Sequence, residues 1–380
     1  MTPKQMRKSL KVNVIKKRLP ERKLEDAYQL LEQLGAGNFG SVRKAADLQS
    51  EAFVAVKSGY SLEHESATLK KMDHPNIVKH VDFFYENRTT CHLVLELCPG
   101  RWLVGMEERH ARFYMAGAVL AVGYMHSKCI IHRDLKPPNI LVNAEGWPKL
   151  SDFGSSALLV GGVAYGPAGD ALYSAPELLA ARTSRTAPYS CGVDFWALGI
   201  VLFQSLSGYL PFNGQTVGEV IRQVQESIQA VRFPKTVQGG AGDMVMGLCT
   251  KEPSKRLGCP EIKQHSWYRG FDWPAFQAKT MQPPPYKLRE DKDLCNCETP
   301  SSSRSTDLPP SPEAKSGDVG GAKVTEDAKV REGRTLRCQA AVEGHKLPSE
   351  RATQYAEEAE ADIFTEFFNR MFSCCTQRTK

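Results

Sequence analysis

The sequence predicts an α+β fold of two lobes, a small β-rich N-terminal lobe and a larger helical C-terminal lobe. In the first part, a glycine-rich turn at 35–40 precedes an apolar, β-like run at 54–57 that ends in a lysine. In the second part, Asp134 and Asp152 stand in short polar motifs on either side of an apolar strand at 140–142. A chain of 380 residues is long enough for such a core plus tails.

The glycine-rich turn is the first element with a chemical meaning. Residues 34–42 read L-G-A-G-N-F-G-S-V, which is the G-x-G-x-x-G-x-V pattern. Glycine lets a backbone hairpin approach phosphates without a Cβ in the way. A Rossmann turn shares this spacing. A Rossmann unit would not place an apolar run ending in Lys57 downstream, so we interpret the turn as a phosphate cradle and Lys57 as its cation.

The strongest signal comes from two motifs in the C-terminal half. Residues 132–139 read H-R-D-L-K-P-P-N, and residues 152–154 read D-F-G. Together with the glycine turn and Lys57, these motifs resemble those of the protein kinases. The resemblance implies the bilobal protein-kinase fold, with a small lobe of mainly antiparallel sheet and one helix, and a larger helical lobe. The implied activity is that of a protein serine/threonine kinase.

The resemblance also implies a role for each motif residue. It makes Asp134 the base or orienter of the acceptor hydroxyl, and Lys136 a contact of the γ-phosphate. Asn139 and Asp152 are then the Mg²⁺ ligands, because this ion prefers a few hard oxygen ligands alongside water and substrate phosphate. Lys136, in place of an Ala-Arg pattern, indicates serine and threonine acceptors. The implied cofactors are ATP and Mg²⁺.

Lys57 needs an anionic partner, since a bare lysine after a strand is usually a solvated edge residue. Kinases place a helical glutamate before an apolar residue and a His-Pro boundary, and Glu65 fits this frame ahead of 74–75. Glu63 is the competitor, but two residues away it lies on another helical face. We therefore expect a Lys57–Glu65 ion pair, with the next strand beginning at 77–78.

The nucleotide is expected in the cleft at 96–98, with Leu95 guarding the back of the adenine site. The full predicted nucleotide-binding set is Gly35, Ala36, Gly37, Asn38, Phe39, Gly40, Val42, Ala55, Lys57, Leu95, Glu96, Cys98 and Leu141.

Further motifs narrow the resemblance to the AGC group. Residues 255–258 read K-R-L-G, 261–273 read E-I-K-Q-H-S-W-Y-R-G-F-D-W, and 281–286 read M-Q-P-P-P-Y. They look like the end of an AGC core and the start of its C-terminal tail, most like the catalytic part of the cyclic-AMP- and cyclic-GMP-dependent kinases. The similarity covers about 25–298. The segment before it is too short for a cyclic-nucleotide-binding domain.

The sequence departs from the family at several functional positions. The stretch between Lys57 and Glu65 is short, so the glutamate-bearing helix must be truncated, and the helix after Gly100 has shrunk to 101–106. The activation segment has Gly166 where relatives carry a phosphorylated threonine. We therefore expect activity without activation-loop phosphorylation.

Asp170 is a further departure, because it adds a carboxylate near Asp134, where a hydroxyl normally bridges Asp134 and Lys136. The truncations and Asp170 favour an alternative function, a pseudokinase that binds nucleotide or acts as a scaffold. The presence of the whole set of key side chains disfavours it: Lys57, Glu65, Asp134, Asn139 and Asp152.

The sequence also predicts altered substrate selection. The resemblance to the cyclic-nucleotide-dependent kinases implies three acidic positions that bind substrate arginines. Here one position is Pro138, one falls in the shortened stretch after Gly100, and one aligns with Gln204. We expect protein substrates with serine or threonine acceptors, without a strong arginine preference, and no nucleic-acid partner. The sequence does not indicate which regulatory subunit, if any, this chain binds.

Composition divides the chain into domains and tails. We predict a basic disordered arm at 1–24, an N-lobe with hinge at 25–98, a C-lobe at 99–273, an AGC-like tail at 274–298, a disordered linker at 299–349, and an amphipathic helix with a Cys-rich end at 350–380. Eleven cysteines without C-x-x-C pairs, and the lack of a run of membrane-span length, predict a cytoplasmic protein.

The tails leave alternatives open. Phe364 to Phe367, on an apolar stripe, looks like the hydrophobic motif that ends AGC tails and docks on the small lobe. Cys374 and Cys375 follow it directly, so peripheral membrane contact by S-palmitoylation is a rival use. The basic arm offers a second route to a membrane surface or an acidic partner.

Overall fold

The structure is a computed structural model that describes residues 22–37, 40–87, 89–102 and 104–285. The described residues form two compact units. The first comprises those of 22–102, with 138–154 and 282–285, and the second comprises 104–137 and 155–281. The α+β prediction is confirmed, since the first unit contains a five-stranded antiparallel sheet and the second is mainly helical. Sequence reasoning assigns 138–154 to the second lobe, whereas this segment packs with the first unit.

The large sheet of the first unit has the strand order β1-β2-β3-β5-β4, and all neighbours are antiparallel. Its strands are β1 Tyr28–Gly37, β2 Gly40–Asp47, β3 Phe53–Tyr60, β4 His80–Tyr85 and β5 Thr90–Glu96. An apolar cluster covers one face, formed by Tyr28, Ala45, Val54, Val56, Phe84 and Val94. The alternation of Val54 and Val56 in β3 matches the two-residue period of a strand. One helix, α1 Glu63–Leu69, follows β3.

The remaining strands are short: β6 Gly100–Arg101, β7 Ile130–Ile131, β8 Ile140–Val142, β9 Pro148–Leu150 and β10 Ala157–Leu158. In the first unit, β6, β8 and β9 form a three-stranded antiparallel sheet. In the second unit, β7 pairs with β10. The hairpin of β8 and β9 connects the two predicted metal ligands, since Asn139 directly precedes β8 and Asp152 follows β9.

The second unit is built around two long helices. Its helices are α2 Glu108–Ser127, α3 Pro176–Thr183, α4 Gly192–Ser207, α5 Val217–Glu226, α6 Gly240–Leu248, α7 Cys259–Gln264 and α8 Trp273–Gln277. α4 is apolar on nearly all sides and almost entirely buried, as expected of a helix in the centre of a core. It ends at Gly208, whose φ of 86° is the left-handed conformation that glycine adopts at helix ends. α4 packs against α2 and α6.

Two local expectations are wrong. No helix lies in the described part of 101–106. Gly105 has a φ of 68°, and the N–H of Met106 donates to the carbonyl of Ser205 at 2.7 Å rather than to a helical partner. Residues 77–78 do not begin β4. The N–H of Val78 donates to the Leu150 carbonyl at 2.9 Å, so this stretch pairs with β9 instead.

The glutamate-bearing helix is short, as the sequence predicts, because α1 has only seven residues. No helix among the described residues has the length and apolar character needed to cross a bilayer. Several predictions fall outside the described residues: Asn38 and Phe39 of the glycine turn, the basic arm, the linker, the tail from 286 onward, and the C-terminal segment with Cys374 and Cys375.

Candidate active site

Lys57 is the centre of the predicted site in the first unit. Its Nζ lies 2.7 Å from Oε2 of Glu65 and 2.9 Å from Oδ1 of Asp152. β3 presents the lysine, α1 presents the glutamate, and the segment after β9 presents the aspartate. Glu63 is exposed on the same helix, so the structure places the predicted partner, and not its competitor, at the lysine. Glu65 also accepts from the N–H of Phe153 at 3.3 Å.

The charges of this cluster determine its protonation. Burial opposes the charged form of Lys57, but the carboxylates of Glu65 and Asp152 outweigh burial, and the lysine pKa is raised. Burial raises the pKa of the Glu65 carboxyl, and the neighbouring Lys57 charge opposes that shift. Glu65 is only 1% exposed, so Lys57 is its essential counter-ion. The arrangement holds a charged ammonium at a defined point of the unit.

Asn139 and Asp152 stand close to each other along the β8–β9 hairpin. Ile140 pairs with Leu150, and both the N–H and the hydroxyl of Ser151 donate to the Asn139 carbonyl, at 2.8 and 3.0 Å. Asp152 has a φ of 61°, which is uncommon for a residue other than glycine and occurs preferentially at functional sites. Its side chain is 44% exposed. One amide and one accessible carboxylate are the hard oxygen ligands that suit Mg²⁺, so the residues present fit this ion.

The glycine turn fits a phosphate ligand. Gly35 pairs with Val42 across the β1–β2 hairpin, and a Cβ built on Gly35 would meet nothing within 4 Å, so open space adjoins the backbone there. Gly40 has a φ of 137°, and a Cβ there would overlap the carbonyl of Ser58. Gly40 is therefore required by the turn itself. Of the predicted cradle, Ala36 and Gly37 continue the hairpin, pairing with Ser41 and Gly40.

The predicted adenine residues lie in and beside the large sheet. Ala55 pairs with Leu95, and both are buried, as is Cys98. Leu141 lies in β8. The carboxylate of Glu96 already accepts from Lys149 Nζ at 2.8 Å and from the N–H of Lys79 at 3.1 Å. Any contact from Glu96 to a nucleotide is therefore expected from its backbone, not from its side chain.

The second unit holds the predicted base. Asp134 Oδ1 accepts from the N–H of Asp170 at 2.9 Å, and Asp134 Oδ2 lies 3.2 Å from Lys136 Nζ. Asp170 Oδ2 is 3.9 Å from the same ammonium, while its Oδ1 accepts from the N–H of Leu172 at 3.0 Å. Asp170 thus caps the short helix Ala171–Tyr173 and places a second carboxylate beside Lys136, where the sequence places one.

A buried aspartate positions the loop that carries Asp134. Asp194, in the first turn of α4, accepts from the N–H groups of His132 and Arg133, each at 2.9 Å, and pairs with His126 at 2.8 Å. Burial alone would raise the Asp194 pKa, but His126, His132 and these hydrogen bonds lower it. Arg133 has a φ of 68°, so the loop is held in a conformation that it would not adopt freely.

A further ion pair, between Arg256 and Glu177, lies in the second unit. Arg256 Nη1 lies 2.7 Å from Glu177 Oε1, and the arginine side chain is almost fully buried.

Sequence reasoning missed other side chains, above all Tyr189 and Arg182. Both donate to backbone carbonyls of the activation segment. No residue-type signal marks such contacts, because every residue carries a carbonyl.

These motifs and their geometry define a phosphotransferase of the protein kinase type, and comparison with known proteins agrees. The protein kinase domain matches residues 28–268, well over half of the chain. The chain therefore belongs to the protein kinase family. Within it, the relatives are serine/threonine kinases of the AGC group.

Three relatives illustrate the extent of the similarity. The cAMP-dependent protein kinase catalytic subunit PRKX of Mus musculus is 30% identical over 296 residues, covering 72% of this chain and 81% of that protein. The cGMP-dependent protein kinase, isozyme 2 forms cD5/T2, of Drosophila melanogaster is 30% identical, covering 67% of this chain and 29% of that protein. Serine/threonine-protein kinase gad8 of Schizosaccharomyces pombe is 31% identical, covering 68% and 48%. The chain thus spans most of PRKX but less than half of the other two.

Proposed function

We propose that the chain transfers the γ-phosphoryl group of ATP to serine and threonine hydroxyls of proteins, with Mg²⁺ as the cofactor. The observation that carries this proposal is the contact of Lys57 with both Glu65 and Asp152, at 2.7 and 2.9 Å. A lysine held by a helical glutamate is the arrangement in which kinases orient nucleotide phosphates. A solvated lysine on a strand edge would not need two buried or half-buried carboxylates.

Each residue then has a separable task. Lys57 orients the phosphates, and the open backbone of the glycine turn allows them to approach. Asn139 and Asp152 would hold Mg²⁺, and the bound ion would neutralise phosphate charge. Asp134 accepts the proton of the acceptor hydroxyl, and Lys136 stabilises charge on the transferred group.

A second candidate function, a scaffold without turnover, is favoured by one observation. Asp170 puts a carboxylate 3.9 Å from Lys136 Nζ, and this charge competes with the phosphate for the lysine. Two distances weigh against it. Lys136 remains closer to Asp134, at 3.2 Å, and the other oxygen of Asp170 is engaged by the N–H of Leu172 at 3.0 Å. Catalysis is therefore the function that the geometry supports better.

The test separates the base from the metal ligand. Asp134→Ala is expected to reduce phosphorylation of a serine/threonine peptide library by about 10²- to 10⁴-fold, while leaving ATP binding largely intact. Asp152→Ala should weaken Mg²⁺-dependent ATP binding as well. Asp243→Ala, an exposed carboxylate in α6, is the matched control. Equal turnover by wild type and Asp134→Ala would reject catalysis in favour of the scaffold.

A further inference from the structure

The activation segment after Gly154 is held in place without any phosphate. The resemblance to kinases places a phosphothreonine at the position of Gly166, where it would pair with cationic side chains. We propose that the hydroxyl of Tyr189 replaces this phosphate, together with Arg133, and that the two form a permanent brace for residues 164–170. Tyr189 is thus a positioning residue. The inference rests on the proposed function, and it adds how that function is controlled.

Arg133 is the cation that contacts this segment, and its nitrogens already have partners. Nε donates to the Ser155 carbonyl at 2.7 Å, and Nη2 donates to the Ser156 carbonyl at 3.2 Å. Nη1 donates to the Tyr189 hydroxyl at 2.8 Å. All three acceptors are neutral. A half-buried guanidinium that is satisfied by neutral oxygens needs no added anion to fix its direction.

Tyr189 connects Arg133 to the activation segment through its own hydrogen bonds. Its hydroxyl lies 2.7 Å from the Gly166 carbonyl and 3.0 Å from the Tyr165 carbonyl, and its one proton can be donated to either. The backbone of Tyr189 also exchanges two hydrogen bonds with Ala164, at 2.8 and 3.0 Å. Because Tyr189 is only 3% exposed, water competes little for these bonds.

A second set of hydrogen bonds holds the segment a few residues further on, at Ala168 and Gly169. Arg182, from α3, donates to the carbonyls of Ala168 and Gly169. Gly169 has a φ of 63°, and a Cβ there would overlap the Arg133 carbonyl, so the segment packs directly on the catalytic loop. Immediately afterwards, the N–H of Asp170 donates to Asp134 at 2.9 Å. The brace therefore ends at the predicted base, and loosening the brace should disturb that residue.

The hydroxyl groups of the segment fit a phosphate-independent device. Tyr173 and Ser174 are buried, and they donate to Gln204 and to the Asp170 carbonyl, each at 2.7 Å. Tyr165 is 55% exposed, and its carbonyl accepts from Arg133 Nη1 and from the Tyr189 hydroxyl. Phosphate on Tyr173 or Ser174 would require the segment to unfold locally first.

The test removes one oxygen atom. In Tyr189→Phe, amide hydrogen exchange at 164–170 should rise about 5- to 30-fold, the effect of losing one or two ordinary hydrogen bonds. The kcat should fall and the KM for peptide should rise, while the KM for ATP stays unchanged, because the nucleotide contacts belong to the first unit. Tyr165→Phe keeps its carbonyl and is the matched control, with wild-type exchange and kinetics expected. Phosphatase treatment should leave wild-type activity intact.

The outcomes separate this inference from the proposed function. Unchanged exchange at 164–170 in Tyr189→Phe would overturn the brace, and so would loss of activity after removal of phosphate from the segment. If exchange rises in Tyr189→Phe but the wild type phosphorylates nothing, the brace stands and catalysis is rejected. A rise in the KM for ATP equal to that for peptide would show general destabilisation instead of positioning, and would also overturn the inference.

Discussion

At the scale of single residues, the Lys57 cluster serves orientation more than stability. Burying an ammonium and a carboxylate costs several kcal/mol of lost hydration for each ion, which their mutual attraction only roughly offsets. Glu65 is 1% exposed, and Lys57 is also largely buried, so the fold gains little from the pair. The same desolvation makes the removal of one partner expensive. The pair therefore maintains a charged Lys57 at a fixed position.

Replacing Glu65 by the isosteric glutamine should impair catalysis more than folding, because Lys57 keeps Asp152 as a counter-ion at 2.9 Å. In Glu65→Gln, Lys57 keeps Asp152 but loses one charge-assisted hydrogen bond of about 1.5 to 3 kcal/mol. We expect kcat/KM to fall about 10- to 100-fold. Steady-state kinetics, with thermal unfolding measured in parallel, would check this. Glu63→Gln, on the exposed side of α1, is the control, and an equal loss there would show that the helix charge matters and not the pair.

At the scale of elements, two histidines are built into the large sheet. His80 in β4 bonds the hydroxyl of Ser66 from α1 at 3.0 Å, and His92 in β5 bonds the hydroxyl of Ser58 in β3 at 2.8 Å. Burial lowers the pKa of both histidines below 6.5. At His80 the Lys70 charge adds to this shift and Asp82 opposes it. At His92 the Glu86 charge opposes it. Both histidines are therefore held neutral in the folded sheet.

This neutrality predicts loss of stability in mild acid. Below pH 6.5 the unfolded chain binds more protons at the two histidines than the folded chain does, because the folded pKa values are lowered. Stability is thus fully present above that pH and declines as the pH falls toward the folded pKa values. The unfolding midpoint should be lower at pH 5.5 than at pH 7.5, and His92→Gln should reduce the difference. His64→Gln removes an exposed imidazole from the same unit, and an equal reduction there would contradict the argument.

The elements also show how far the sequence alone can lead. The strand at 140–142 and the short α1 were predictable, because apolar runs and motif spacing are local signals. The stretch at 77–78 was not, since its apolar pattern suits any strand and only tertiary contact selects β9 as its partner. The helix expected at 101–106 failed for a similar reason: Gly105 and the distant Ser205 carbonyl determine its path. The residues of the site could be predicted from motifs. The hydrogen bonds that Tyr189 and Arg182 donate to backbone carbonyls could not.

At the scale of the whole molecule, the sequence predicts that three positions determine substrate choice. The family resemblance implies three acidic positions that bind substrate arginines; in this chain Pro138 occupies one of them, and the shortened stretch after Gly100 removes another. Gln204 occupies the third, and its Oε1 accepts from the Tyr173 hydroxyl at 2.7 Å. The rest of the amide can only donate, and a guanidinium also only donates. Gln204 therefore offers a substrate arginine no negative charge, and its amide oxygen already accepts one hydrogen bond.

We accordingly expect weak selection for arginine two or three residues before the acceptor, and a gain from one substitution. A carboxylate that pairs with a guanidinium contributes about 1.5 to 3 kcal/mol, so Gln204→Glu should raise the preference for arginine at one of these positions about tenfold or more. A positional-scanning peptide library would measure the preference in both proteins. Gln225→Glu adds the same charge on the exposed side of α5 and should change nothing. Strong arginine selection by the wild type would show that other carboxylates, such as Asp170 beside Lys136, have taken over recognition.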